Sequence, residues 1–233
     1  NVYDSNPLEI GNDEEGTPYF IQTVRTRQVY VSPVLFADNN DPYIYFTAPI
    51  RNSQQQIIGV LRARYDGLIL QSILEETLNH IGVRSYPVLL DDNNIRIADT
   101  LTPKNLYTSL KPLSEGELND LMAANRLPRK PAEDLVVHIP AYLSAVENSA
   151  AEPYFTTQAI PADTTHLMFG TATTLATQPW KVVYLKEQTQ LQTLIGNQRN
   201  SSVIIAIIFA GLVALLSTLF GNSLSQPLKQ LTS

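Results

Sequence analysis

The chain has 233 residues, a formal net charge of −6, 44% hydrophobic residues and no cysteine. The missing cysteines exclude disulfides, thiolate metal sites and cysteine nucleophiles. The acidic balance, with no basic run and no basic patch interleaved with aromatics, argues against a nucleic-acid partner. About two hundred residues precede the apolar stretch that begins at Val203, enough for one large domain or two small ones. The chain starts at Asn1 without a methionine and stops in mid-pattern at Ser233, and it reads as a fragment of a longer protein.

Residues 1–18 are polar and turn-rich and read as an exposed lead-in. Tyr19-Phe20-Ile21 and Val29-Tyr30-Val31 carry the β-branched and aromatic residues that favour strands. A turn at Asp38–Pro42 introduces a strand over Tyr43–Ile50, and a turn at Asn52–Gln54 introduces another over Ile57–Tyr65. In that last strand alternation puts Leu61, Ala63 and Tyr65 on one face and Val60, Arg62 and Arg64 on the other. Asp66 can cap a helix over Gly67–Ile81, where Leu68, Ile69, Ile73, Leu74, Leu78 and Ile81 fall at helical spacing.

A second sheet-rich unit follows. Tyr86–Leu90 and Ile95–Ala98 flank the turn Asp91-Asp92-Asn93-Asn94 and read as a hairpin. Ser114 and Glu117 stand at capping-box spacing before a short helix through Leu118, Leu121 and Met122. A Pro- and charge-rich loop covers residues 125–135, and strands are expected near Leu135–Ile139, Tyr154–Ile160, Thr165–Thr171 and Trp180–Leu185. From Lys186 the pattern turns helical, and a nearly continuous helix is expected through Phe220.

Val203–Phe220 holds eighteen residues without charge or proline, with Ser217 and Thr218 as its only polar side chains. As a helix it would be roughly 27 Å long, close to the hydrocarbon thickness of a bilayer. A buried core helix usually keeps a polar stripe, and this stretch has none, so it reads as a transmembrane helix. Ala206, Ala210 and Ala214 recur every four residues, and small residues on one face let membrane helices approach closely. A lipid-facing helix also contains alanines, so the dimer contact is one of two readings.

Nothing in the residues argues for catalysis. His80, His138 and His166 lack the spacing of a helical metal site and read as surface or satisfied histidines. Asp91–Asn94 lacks the central glycine and distal glutamate of a calcium loop. No nucleophile elbow and no phosphate-cradling loop is present, and no metal or cofactor is expected. The one suggestive set is Arg25, Arg27, Tyr30, Tyr43, Tyr45 and Asp66. An arginine offers two parallel donors to a carboxylate, and an aspartate can neutralise an ammonium. The plainer reading is an exposed strand with solvated arginines, a capping aspartate and half-buried tyrosines.

Gly16–Phe20, Ser32-Pro33-Val34, Ala48-Pro49-Ile50, Ile57–Val60 and Asp66-Gly67-Leu68 resemble the pattern of Cache sensor domains. Tyr86–Ala98 and Gln178–Tyr184 resemble the second, membrane-proximal copy of a double Cache region, and Gln226–Leu231 resembles the first turn of a HAMP domain. The resemblance covers almost the whole chain. It implies an α+β fold of two tandem PAS-like antiparallel sheets, followed by a long helix that continues into the membrane. The expected divisions are 1–82 and 83–185 for the two sheet units, 186–202 for a linker helix, 203–220 for the membrane helix and 221–233 for the HAMP-like start.

The same resemblance implies a homodimeric receptor, extracytoplasmic before Val203 and cytoplasmic after Phe220, that senses a small molecule such as a carboxylate or an amino acid. In related amino-acid-binding domains an arginine and a tyrosine hold the carboxylate and an aspartate holds the amine. Arg27, Tyr30 and Asp66 fall at similar positions, with Tyr43 and Tyr45 beside them, but Val29 stands where a tryptophan is expected. This region itself would catalyse nothing. For the whole protein the implied class is a sensor histidine kinase; the alternatives are a methyl-accepting chemoreceptor, a nucleotide-cyclase receptor or a membrane-anchored binding module.

Overall fold

The computed structural model describes residues 4–5, 7–163, 166–188, 209 and 212–213. Its contacts divide the chain into two compact units, Asn1–Leu70 with Leu113–Leu135, and Gln71–Pro112 with Val136–Ser233. The segment Leu113–Leu135 groups with the first unit, whereas the expected division was a single cut at 82/83.

The first unit opens on helix α1, Pro18–Thr26. Strand residues were expected at Tyr19–Ile21, and the helix corrects that expectation. Pro18 stands at the helix start, where its fixed φ suits a first turn and its missing N–H costs nothing. Tyr19 and Thr23, one turn apart, then bury a shared face, and that tertiary contact overrides local strand propensity. The helix stops at Arg27, whose φ of 59° is left-handed and whose N–H donates to the Thr23 carbonyl at 3.0 Å.

Four strands follow: β1 (Tyr30–Val31), β2 (Leu35–Phe36), β3 (Pro42–Arg51) and β4 (Ile57–Asp66). β3 and β4 form a long antiparallel hairpin, with Tyr43 opposite Asp66, Tyr45 opposite Arg64 and Thr47 opposite Arg62. Asn52 closes its turn by accepting the Gln54 and Gln56 N–H groups on Oδ1, at 3.0 and 2.9 Å. β1 and β2 pair with successive parts of β3. Side chains alternate across the pleat, so one face buries Ile44 and Phe46 while the other carries Tyr43, Tyr45, Thr47, Arg62, Arg64 and Asp66. α1 lies over that second face, tied by the Thr23 and Thr47 hydroxyls.

Helix α3 (Glu115–Ala123) belongs to this unit and begins in the expected capping box. Ser114 Oγ accepts from the Glu117 N–H at 3.3 Å, and Glu117 Oε2 accepts from the Ser114 N–H at 2.9 Å. Leu121, Leu127 and Leu135 are buried. Two contacts fasten the stretch beside β2: the Phe36 N–H donates to the Asn125 carbonyl at 2.8 Å, and Arg129 pairs with Asp38 at 2.6 Å.

Helix α2 (Ile69–Thr77) spans the division between the units. The second unit holds a five-stranded antiparallel sheet in the order β6-β5-β9-β8-β7. Its strands are β5 (Ser85–Leu90), β6 (Arg96–Asp99), β7 (Tyr154–Thr157), β8 (Met168–Thr174) and β9 (Lys181–Glu187). Helix α4 (Pro140–Glu147) contributes Tyr142 and Val146 to a core with Val88, Leu90, Phe155, Met168, Val183 and Leu185.

Two expectations need correction here. Residues 135–139 do not form a strand; Val136 makes only an isolated bridge with Ser109, and the chain enters α4 at Pro140. Lys186 and Glu187 are the last residues of β9, paired with Ser85 and Met168, and do not open a helix.

Most of the apolar stretch 203–220 lies outside the described residues, as do Ala206, Ala210, Ala214 and the HAMP-like 221–233. Phe209, Leu212 and Val213 are helical. The Phe209 ring meets Tyr184 edge to face at 5.8 Å, and Leu212 clusters with Ile81. Among the described residues no helix is long and apolar enough to cross a membrane.

Candidate functional site

The β3–β4 register gathers two tyrosines and two arginines on one face of the first unit, and α1 adds Tyr19. Arg62 lies between two rings, with its guanidinium carbon 5.3 Å from the Tyr19 centroid and 5.1 Å from the Tyr45 centroid. Arg64 lies 4.0 Å from the Tyr43 centroid. Tyr45 stands 5.1 Å from both Tyr19 and Tyr43, tilted against one and edge-on to the other. Guanidinium groups favour aromatic faces, and tilted or edge-on rings place positive edges against negative faces.

The lead-in is not simply exposed, as the sequence pattern had indicated. It delivers two half-buried carboxylates to Arg62: Asp4 Oδ2 at 3.0 Å from Nη2 and Glu14 Oε1 at 3.6 Å from Nη1. Glu14 Oε2 also accepts from the Tyr19 hydroxyl at 2.8 Å, and Arg62 Nη1 donates to that hydroxyl oxygen at 3.3 Å. Burial opposes the charge of Arg62, but Tyr19, Tyr45, Glu14 and Asp4 outweigh it and hold its pKa above the ordinary guanidinium value. Burial raises the Tyr19 and Tyr43 phenols, so both stay protonated donors. Arg64 is exposed and has no carboxylate partner among the described residues, which leaves its donor fork open to solvent.

Of the residues singled out in the sequence, Tyr30, Tyr43, Tyr45 and Asp66 share this face; Tyr30 is opposite Thr47, and Asp66 is opposite Tyr43. Asp66 is exposed and accepts the Leu68 N–H at 2.8 Å, in the turn before α2, whereas it was expected to cap a helix beginning at Gly67. Arg27 is not brought to them. It caps α1, and its carbonyl accepts from Arg51 Nη2 at 2.6 Å. Arg51 ends β3 eight residues beyond Tyr43, about 26 Å along the strand at the usual rise, so Arg27 and Asp66 do not face one small ligand. Arg25 is also exposed and pairs with Gln22 at 2.6 Å.

The histidines are surface or satisfied groups. His80 is exposed, His138 Nδ1 lies 2.9 Å from the Leu110 carbonyl, and His166 pairs with Asp163 at 2.6 Å. Asp91 closes a hairpin turn by accepting the Asn93 and Ile95 N–H groups at 2.8 and 2.9 Å.

No family model matches the chain, and no curated protein matches it. Solved structures do. The sensor domain of the V. cholerae histidine kinase DctB superposes with a TM-score of 0.53 at 18% identity, over 77% of this chain and 63% of that one. The extracellular domain of the putative histidine kinase mmHK1S-Z3 gives 0.49 at 9% identity, over 80% and 59%. The ligand-binding domain of the Campylobacter jejuni chemoreceptor Tlp3, in complex with 4-methylisoleucine, gives 0.48 at 15% identity, over 76% and 54%. The chain spans less than two thirds of the length of each. The likeness to the DctB domain establishes the fold alone, a mixed architecture of helices and antiparallel sheets, as the α+β reading expected.

Proposed function

We propose that this chain is the ligand-sensing region of a transmembrane signalling receptor, and that its first unit binds a small carboxylate-bearing molecule. The observation that carries the reading is the face built by Tyr43, Tyr45, Arg62 and Arg64 with Tyr19 above it. Tyrosine hydroxyls and guanidinium forks are donors suited to a carboxylate, and the rings supply apolar walls. Arg62 already holds the carboxylates of Asp4 and Glu14, so the face binds the chemical group proposed for the ligand. Arg64 supplies the open fork, Asp66 stands two residues further along β4 on the same face, Tyr30 lies across β3 beside Thr47, and an amino-acid ligand would turn its ammonium toward Asp66. The ligand role first assigned to Arg27 passes to these two arginines. The region performs no reaction of its own.

The finer reading is a homodimeric sensor histidine kinase. Its membrane helix would be 203–220, with the preceding residues extracytoplasmic and those after Phe220 cytoplasmic. The supports are the uncharged stretch of membrane length, the HAMP-like Gln226–Leu231 and the fold shared with a kinase sensor domain. The test is a thermal-shift screen of small carboxylates, amines and amino acids on the whole chain in detergent, repeated with Arg64→Ala. A carboxylate hit that disappears in Arg64→Ala supports the site. A panel that yields only hits indifferent to Arg64 would overturn it.

A further inference from the structure

We propose that the outer edge of β4 is a docking site for a β-hairpin of the same polypeptide, supplied from upstream of Asn1. The two units end alike. The last strand of each, β4 and β9, runs antiparallel to the strand before it, β3 and β8. They differ on the other side. β9 is central, and its far edge pairs antiparallel with β5, which is itself paired with β6. β4 pairs with β3, and no strand among the described residues takes its far edge.

The burial of the two strands follows. Val182, Val183, Tyr184 and Leu185 of β9 are all buried, whereas no residue of β4 is. On the face that holds Ile44 and Phe46, Leu61 is 49% exposed and Tyr65 40%, and Ile50, opposite Gly59, is 45% exposed. The apolar face of the first unit therefore runs on past its last strand. Natural edge strands are kept short or guarded by lysine, proline or bulges, because their outward backbone groups invite another strand. β4 is ten residues long, holds no lysine or proline and keeps a regular register from Gly59 to Asp66. Its arginines turn to the tyrosines of the opposite face.

Three observations choose the occupant. An open edge takes an extended segment, and the second unit shows which kind: a hairpin that precedes its other strands, as β5–β6 precedes α4 and β7–β9. By the same succession the corresponding hairpin of the first unit precedes α1, and the described part of the lead-in holds no strand. Asp4 of the lead-in stands against β4 through Arg62, 3.0 Å away, so residues upstream start beside this edge. The DctB domain, whose fold the chain shares, extends beyond it, since the chain spans 63% of that domain. Pairing would set the incoming strand antiparallel to β4, with apolar residues opposite Leu61 and Tyr65.

The edge is separate from the tyrosine–arginine face and does not depend on the ligand proposed there. The experiment compares amide hydrogen exchange in the 233-residue chain and in the longer gene product that carries the residues encoded upstream of Asn1, both in detergent. Trp180, the only tryptophan in the sequence, is buried in the second unit, so its melt follows that unit separately.

The expected result is that alternate amides of β4 exchange about tenfold or more slowly in the longer protein, the worth of a strand hydrogen bond, while those of β9 keep their rates. Leu61→Lys should abolish that slowing and leave exchange in the 233-residue chain as it was. Equal exchange of the β4 amides in both proteins would overturn the proposal. So would slowing in the 233-residue chain that grows with its concentration, which would assign the edge to a second copy. A gene with no coding sequence upstream of Asn1, or slowing untouched by Leu61→Lys, would overturn it as well.

Discussion

Arg96 and Asp99 show how burial sets the cost of a charge. Burial lowers the arginine pKa and raises that of the aspartate, even though each is the other's counter-ion. An acid with a raised folded pKa binds its proton more tightly when folded. Its contribution to stability is therefore greatest at low pH and fades as pH rises from the ordinary 3.8 through the folded value. The stability of wild type relative to Asp99→Asn should shrink across that window in denaturant titrations at several pH values. A difference that grows with pH would show that the Arg96 pairing outweighs burial. At this scale the sequence was only partly legible. Alternation placed Arg62 and Arg64 on one strand face, but their relation to Tyr43 and Tyr45 needs the register across Asn52–Gln56, which composition does not specify. Arg27 was put forward with Tyr30 and Asp66 because the resemblance to amino-acid-binding domains implied an arginine at a similar position. Its separation from Asp66 comes from the length of β3, a three-dimensional quantity.

Among the elements, those whose signals are local were read correctly. The capping box at Ser114 and Glu117 is formed by side chains three residues apart, so spacing alone predicts it. Replacing Ser114 with alanine should lower stability by about 1 kcal/mol in chemical denaturation, with the native circular dichroism otherwise kept. The β3–β4 and β5–β6 hairpins were legible for the same reason, since turn residues and alternating patterns mark both. The misses need distant partners. α1 was read as strand because Tyr19, Phe20 and Ile21 favour strands, and only the buried Tyr19–Thr23 face makes the helix preferable. α4 was missed because Pro140–Glu147 was given no element between the strands expected near Leu135–Ile139 and Tyr154–Ile160. Gly170 in β8 is a tertiary constraint of the same kind. A Cβ there would lie 2.5 Å from Phe155 Cε2 and 2.8 Å from Leu185 Cδ2. Gly170→Ala should therefore destabilise the chain by about 1–3 kcal/mol, seen as an earlier Trp180 melt.

Over the whole molecule, two mixed units are strung along one chain, and each places polar side chains against a sheet in a different way. The first carries its tyrosines and arginines on one face of the β3–β4 hairpin, with Arg64 exposed and Arg62 paired with Asp4 and Glu14. The second buries its polar cluster beneath α4. The α+β class was legible because both units repeat the same succession of hairpin and helix. The return of Leu113–Leu135 to the first unit was not, because such an excursion leaves no mark in local pattern. The central claim, a carboxylate held on the β3–β4 face, is tested most directly by titration calorimetry of the strongest carboxylate hit against wild type and Arg64→Ala. Losing two charge-assisted hydrogen bonds, roughly 2–4 kcal/mol, predicts affinity weakened by about 30- to 1,000-fold with the fold intact. Unchanged affinity in Arg64→Ala would contradict the account.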